Sequence, residues 1–180
     1  MGRGSDLSDL FNIQKIISYP IGSSSQVLQF NENILAHFRR NQQSRFWHRE
    51  AGGQLFAQIA DGLISVVEAT GPRSTDKRSR TNYVPDRWAE QREIDERFPW
   101  GLHFIGDWHT HPEDRPQPSP IDINSTGDGV RRSRHSLHGF VLVIVGRNDF
   151  PDGLFVAIHD GAQSHVLRAS TIAAQSTSSA

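Results

Sequence analysis

Hydrophobic and polar positions change period several times along this chain, and each change predicts an element. Gln26 to Phe30 reads as a strand. From Asn31 to Arg40 the spacing turns helical, with Ile34, Leu35 and Phe38 on one side and Asn31 placed to cap the first turn. Gly53 to Ala60 and Leu63 to Ala69 are β-type runs around Asp61-Gly62, a pair that tolerates the positive φ of a tight turn, so they predict a hairpin. Val84, Trp88, Ile94 and Phe98 lie near helical spacing in a charged stretch, which predicts an amphipathic helix over Pro85 to Arg97. Leu102 to Trp108 is a strand leading into His109-Thr-His-Pro112. Ser119-Pro-Ile-Asp122 then carries a helix start: a serine cap, proline at the first helical position and an acid at the third, for a helix to about Arg132. Phe140 to Val145 is apolar without alternation, as in a central strand covered on both faces. Leu154 to His159 and Gln163 to Arg168 flank Asp160-Gly161 as a second hairpin.

This order of elements predicts an α/β (α+β) fold, a mixed, largely antiparallel sheet flanked by helices. No repeat or long linker interrupts it. Residues 10–168 are expected to form a single domain between a flexible N-terminal tail, residues 1–9, and a disordered C-terminal tail, residues 169–180. Gly71 to Asn82, with Arg73, Lys77, Arg78 and Arg80, reads as a mobile, solvated loop, its 71–81 part ordering only when a protein substrate docks.

Composition narrows the chemistry. The 180 residues include no cysteine, which excludes thiol nucleophiles, disulfides, Cys-ligated zinc and iron–sulfur clusters. With 19 Lys+Arg against 20 Asp+Glu the net charge is −1, so no overall field draws in nucleic acid or an anionic membrane, and neither is expected as a partner. No segment approaches the roughly 20 apolar residues that span a bilayer, and the start lacks a signal-peptide core; the expected location is the cytoplasm.

Two of the nine histidines stand out. His109 and His111 are two apart at a strand end, so both imidazoles leave the same face and can converge on one ion. Paired histidines also simply pack in polar loops. Asp122 changes the balance, because the turn Pro112 to Pro118 brings the first turn of the next helix back to the strand end, where a carboxylate can complete three ligands. Ser119 and Asp122 read equally well as a helix cap worth about 1 kcal/mol. The prolines at 112, 116, 118 and 120 stiffen the connection, which suits a site that must hold its ligands closely. Three protein ligands leave a fourth tetrahedral position for water, whose pKa zinc lowers from about 15.7 to about 7. Such a site needs a base that is not a ligand; Glu50 is the candidate, just before two glycines that permit close backbone approach, although its position alone describes an ordinary surface carboxylate.

Together Glu50, His109, His111, Ser119 and Asp122 resemble the JAMM signature of JAB/MPN-domain metalloproteases: an upstream Glu, then His-x-His, seven residues, Ser, two residues, Asp. Glu50-Ala-Gly-Gly-Gln-Leu-Phe56 and Gly106-Asp-Trp-His-Thr-His-Pro112 extend the likeness, which covers roughly residues 26 to 168; Ala57 stands where relatives often carry Gly. The resemblance implies a JAB/MPN, cytidine-deaminase-like fold and one zinc ion per chain, held by His109, His111 and Asp122. It further implies that Glu50 activates the water and passes its proton to the leaving amine, and that Ser119 hydrogen-bonds the oxyanion. Deaminase chemistry is not implied, since the Pro-Cys-x-x-Cys ligands are absent. The compact form resembles bacterial JAB proteins encoded beside ubiquitin-activating-like and ubiquitin-conjugating-like enzymes, as in CBASS anti-phage systems. The implied activity is a zinc-dependent isopeptidase that cuts the amide bond after the C-terminus of a ubiquitin-like modifier or a conjugated nucleotidyltransferase. The alternative is a catalytically inactive MPN-like scaffold.

Overall fold

The computed structural model describes residues 16–170. The expected N-terminal tail, residues 1–9, and positions 171–180 of the expected C-terminal tail, residues 169–180, lie outside the described residues. Ala169 and Ser170 lie inside, and the Ser170 N–H donates to the Ser18 carbonyl at 2.8 Å.

Ten strands and three α-helices follow in order: β1 (Ile17–Pro20), β2 (Val27–Phe30), α1 (Glu32–Asn41), β3 (Gly52–Ala60), β4 (Leu63–Ala69), β5 (Lys77–Arg78), β6 (Tyr83–Val84), α2 (Arg87–Arg97), β7 (His103–Thr110), α3 (Pro120–Arg132), β8 (Phe140–Val145), β9 (Leu154–His159) and β10 (Ser164–Val166). Eight of the strands form one sheet in the order β1-β2-β4-β3-β7-β8-β9-β10, and β5 with β6 form a small ribbon. Among the described residues only the β2–β4 and β7–β8 pairs are parallel. The sheet is therefore mixed and largely antiparallel, as the pattern predicts.

Local chemistry explains most elements. The Asn31 side chain accepts from the Ile34 N–H at 3.1 Å, satisfying a free donor at the start of α1. Asp61 and Gly62 adopt φ of 49° and 82°, the positive values that close the β3–β4 hairpin. α1 drives Ile34, Leu35 and Phe38 into the main core, where Phe38 meets Phe30 at 5.8 Å and Trp108 at 5.4 Å between ring centroids. Val141, Val143 and Val145 of β8 face that core. Phe140 points to the other face and touches Phe104, which touches Phe56. Helices thus cover both faces, and β8 is buried throughout.

Two expectations are overturned. α2 forms where the spacing places it, but of the four apolar positions only Ile94 is half-buried: Trp88 is 80% exposed, and Phe98 and Val84, just beyond the helix ends, 65% and 45%. The inward side carries Glu90, Glu93 and Arg97. Arg97 makes a forked pair with Glu68 of β4 at 2.6 and 2.9 Å and lies 4.7 Å above the Phe56 ring. The sheet beneath offers charged partners, so a charged helix face is the one that fits. The second correction is the basic stretch 71–81, which is built into the fold. Arg73 pairs with Glu93 of α2 at 2.5 and 2.7 Å and reaches Thr70 Oγ1 at 3.2 Å. The buried Asp76 carboxylate accepts from the Arg73 N–H, the Tyr83 hydroxyl and the Asp86 N–H at 2.6, 3.1 and 2.9 Å. Buried charges of this kind are tolerated when each finds its partners, and that requirement pins the segment. β1 was not foreseen. Among the described residues no helix is long and apolar enough to cross a membrane.

Candidate metal centre

The register of β3 against β7 positions the chemistry. Gly52 lies opposite His109, and one step further the Thr110 N–H donates to the Ala51 carbonyl at 2.8 Å while Ala51 N–H donates to Thr110 Oγ1 at 2.9 Å. Extended by one residue, that antiparallel pairing puts Glu50 across from His111. Glycine permits the close strand approaches here: a Cβ on Gly52 would lie 2.8 Å from the Trp108 carbonyl oxygen across the β3–β7 pair, one on Gly53 1.9 Å from the Thr70 carbonyl oxygen just past β4, and one on Gly106, at φ 146° in the β7 bulge, 1.9 Å from that of Val141 in β8. His111 leaves β7 with its N–H donating to the Val145 carbonyl at 3.0 Å. The proline-rich turn then runs against the chain after β8, with Arg147 N–H donating to Glu113 carbonyl at 2.8 Å, and returns to α3.

At the start of α3 both halves of the capping box form. Asp122 N–H donates to Ser119 Oγ at 3.3 Å, and Ser119 N–H donates to Asp122 Oδ2 at 2.7 Å. The same carboxylate faces the histidines: Oδ1 is 3.3 Å from His109 Nε2 and Oδ2 is 3.6 Å from His111 Nε2. The two Nε2 atoms are 3.2 Å apart. Each imidazole is nearest a different Asp122 oxygen, and the separations are on the scale of a tetrahedral metal centre, whose edge is about 3.3 Å for metal–ligand bonds of roughly 2.0–2.2 Å. Two imidazole nitrogens and a carboxylate gathered at this spacing suit a cation better than one another, so the donor set fits a metal ion. Glu50 closes the site from the β3 side, its carboxylate and both histidine nitrogens lying within 4.8 Å of one another.

Each charge has a physical cause. Burial raises the Glu50 pKa, with His109 pulling it back and Asp122 adding to the rise. Burial also opposes ionisation of Asp122, but hydrogen bonds and charge from His109, with the Ser119 bonds, outweigh it and hold the carboxyl well below the usual range. Burial lowers the His111 pKa, and His109 adds to that, which keeps the imidazole neutral and able to donate a lone pair. Asp107, two residues before His109 and on the same face, is pushed up to about 6 by burial, with Arg87, His109 and Arg73 opposing.

The structure therefore brings Glu50, His109, His111 and Asp122 together, with Ser119 joined to Asp122. Residues that the pattern did not single out hold them there. The Glu50 N–H donates to Ser79 carbonyl at 2.7 Å, and Arg78 Nε donates to the Glu50 carbonyl at 2.6 Å, so the basic stretch read as mobile carries the backbone of Glu50. Thr110, fully buried between the histidines, donates to Gln43 Oε1 at 3.1 Å, and Gln43 Nε2 donates to the Arg80 carbonyl at 3.0 Å. Alternation contained a signal for Thr110: between two same-face histidines it must point into the opposite face, and a hydroxyl there needs a partner.

A mixed sheet whose parallel β7–β8 pair ends in two histidines, faced by a capping aspartate and a half-buried glutamate, is the arrangement of a JAMM-type hydrolase. The model for prokaryotic homologs of the JAB domain matches residues 31–158, and the chain belongs to that family. A CD-NTase/cGAS isopeptidase from Pseudomonas aeruginosa is 31% identical over 141 residues, covering 76% of this chain and 87% of that protein. One of the same description from Vibrio cholerae is 36% identical over 104 residues, 56% of this chain and 64% of the other. A probable metalloprotease, y4qB, from Sinorhizobium fredii is 35% identical over 71 residues, 37% and 43% of the two chains. Protein DSY2949 from Desulfitobacterium hafniense, a solution structure at 17% identity, covers 75% of this chain and 83% of its own with a TM-score of 0.51, a likeness of fold.

Proposed function

We propose that this chain is a zinc-dependent isopeptidase that hydrolyses the amide bond joining the C-terminus of a CD-NTase, or of a ubiquitin-like modifier, to its target. The observation that carries the reading is the triangle of His109, His111 and Asp122 with Glu50 beside it, a full ligand set plus one carboxylate left over. His109, His111 and Asp122 would hold the zinc, which supplies Lewis acidity and an acidified water at its open position. Glu50 takes the proton from the attacking water on a carboxylate oxygen and delivers it to the nitrogen of the leaving amine. Its raised pKa suits both halves of that transfer. Ser119 caps α3 with a lone pair of its hydroxyl, which leaves the O–H free to donate to the carbonyl oxygen as negative charge grows there. The isopeptidase relatives support the substrate class. The reaction belongs in the cytosol, where it reverses the products of ubiquitin-activating-like and ubiquitin-conjugating-like enzymes.

The test uses a fusion of the CD-NTase from the same genome, joined through its C-terminus to green fluorescent protein. Wild-type protein is expected to carry about one zinc per chain and to cut at the junction, mapped by mass spectrometry. Asp122→Ala should lose most of the metal. Glu50→Gln should keep the metal and lose cleavage by about 100-fold or more. Full activity in Glu50→Gln would remove Glu50 from the chemistry, and a zinc-free active enzyme would end the proposal.

A further inference from the structure

The segment between α1 and β3 is built unlike the rest of the surface. Glu50 is the sole acid between Asn33 and Ala60, and its side chain is committed to the centre. Arg73, Arg97, Arg115 and Arg147 elsewhere each meet a carboxylate. Arg40, Arg45, Arg49 and Arg80 are exposed and make no ion pair among the described residues. Two aromatic side chains stand among them, Phe46 at 73% and Trp47 at 55% exposure. The strip is continuous: Arg45 lies 5.3 Å from the Trp47 ring, Trp47 meets Phe46 at 4.9 Å, and Arg80 lies 5.7 Å from Phe46. Arg40, Trp47, His48, Arg49 and Arg78 line one recess, and Arg78 is the residue bonded to the Glu50 carbonyl. Within the chain the exposed arginine–ring contacts return only a weak attraction each, while like charges repel and two large rings stay in water.

We infer that this arginine and aromatic strip is the docking surface for an acidic, apolar-anchored segment of the protein substrate whose amide bond enters beside Glu50. The inference rests on the isopeptidase reading and deepens it. Guanidinium groups recognise carboxylates with paired N–H donors, and exposed tryptophan beside arginine is the composition of interface anchors. The positive strip, which runs in sequence into Glu50, also steers an acidic partner toward that segment, in a chain whose net charge of −1 supplies no such field overall.

The full zinc-loaded chain is used for the test, with the CD-NTase fusion as substrate. For Arg45→Glu/Arg49→Glu and for Trp47→Ala, KM is expected to rise about tenfold with kcat within about twofold. Raising salt from about 50 to about 500 mM should raise the wild-type KM and leave that of the double arginine variant flat. Unchanged KM in both variants overturns the proposal, as does competition by a single-stranded oligonucleotide, which would make the strip a nucleic-acid surface. If wild-type protein leaves the fusion uncut, the isopeptidase reading is what has failed, and the strip is tested without cleavage. The indole N–H signal of Trp47 is then followed as a Glu/Asp-rich peptide with one leucine is added. A shift that disappears in Arg45→Glu/Arg49→Glu supports the surface; no shift, or a larger one with an oligonucleotide of equal charge, overturns it.

Discussion

α3 and α2 begin alike and are seated in opposite ways. Each starts with a side-chain cap, Ser119 on the Asp122 N–H and Asp86 on the N–H groups of Trp88 and Ala89. α3 then turns Val130 and the bare backbone at Gly127 to β8 and β9, with Gly127 against His159. α2 turns Glu90, Glu93 and Arg97 inward and leaves Trp88 and Phe98 in water. The difference lies in what the sheet offers. Over β8 and β9 it is apolar apart from the buried His159, whereas near α2 it brings Glu68, Asp107 and the guanidinium of Arg73. A helix meets the surface it is given, and where that surface is charged its own charges become the packing face.

The comparison breaks hardest at Arg73. Arg73→Ala leaves Glu93, Glu90 and Asp76 without their shared cation, and is expected to cost about 3–5 kcal/mol, roughly 10 °C in a thermal melt. Next comes Glu90, whose pKa is pushed up to about 7 from its ordinary 4.5, first by burial and then by Asp107. The sign follows from the raised folded value: the stabilising contribution is complete below 4.5 and is lost as pH rises through 7. Denaturant titrations should show stability falling over that window by on the order of 3 kcal/mol, and Glu90→Gln should flatten the profile. On α3, Ser119→Ala removes one cap bond and should cost about 1 kcal/mol in the same titrations. Smallest is Trp88→Ser: a tryptophan packed as the spacing predicts would cost several kcal/mol, but one left in water should change stability by less than about 0.5 kcal/mol.

Legibility follows the same division. The Asn31 cap, the Asp61-Gly62 turn and the Ser119 box depend on residues three or fewer apart, and each appears where the pattern puts it. The orientation of α2, the ordering of 71–81 by Asp76 and Glu93, and the bonds from Ser79 and Arg78 to Glu50 depend on partners far along the chain, and hydrophobic period does not record them. The Gln43–Thr110 link joins residues 67 apart.

By itself, then, the amino-acid order determined the strands and helices with strong period, the caps, and the presence of two histidines and an aspartate with ligand chemistry and of a glutamate to serve as base, because these follow from local backbone preferences and side-chain chemistry. Only the tertiary structure decided that the four groups meet, which face of α2 is buried and what holds the Glu50 backbone. Those outcomes rest on electrostatic and hydrogen-bond pairings that exist only once distant segments lie side by side.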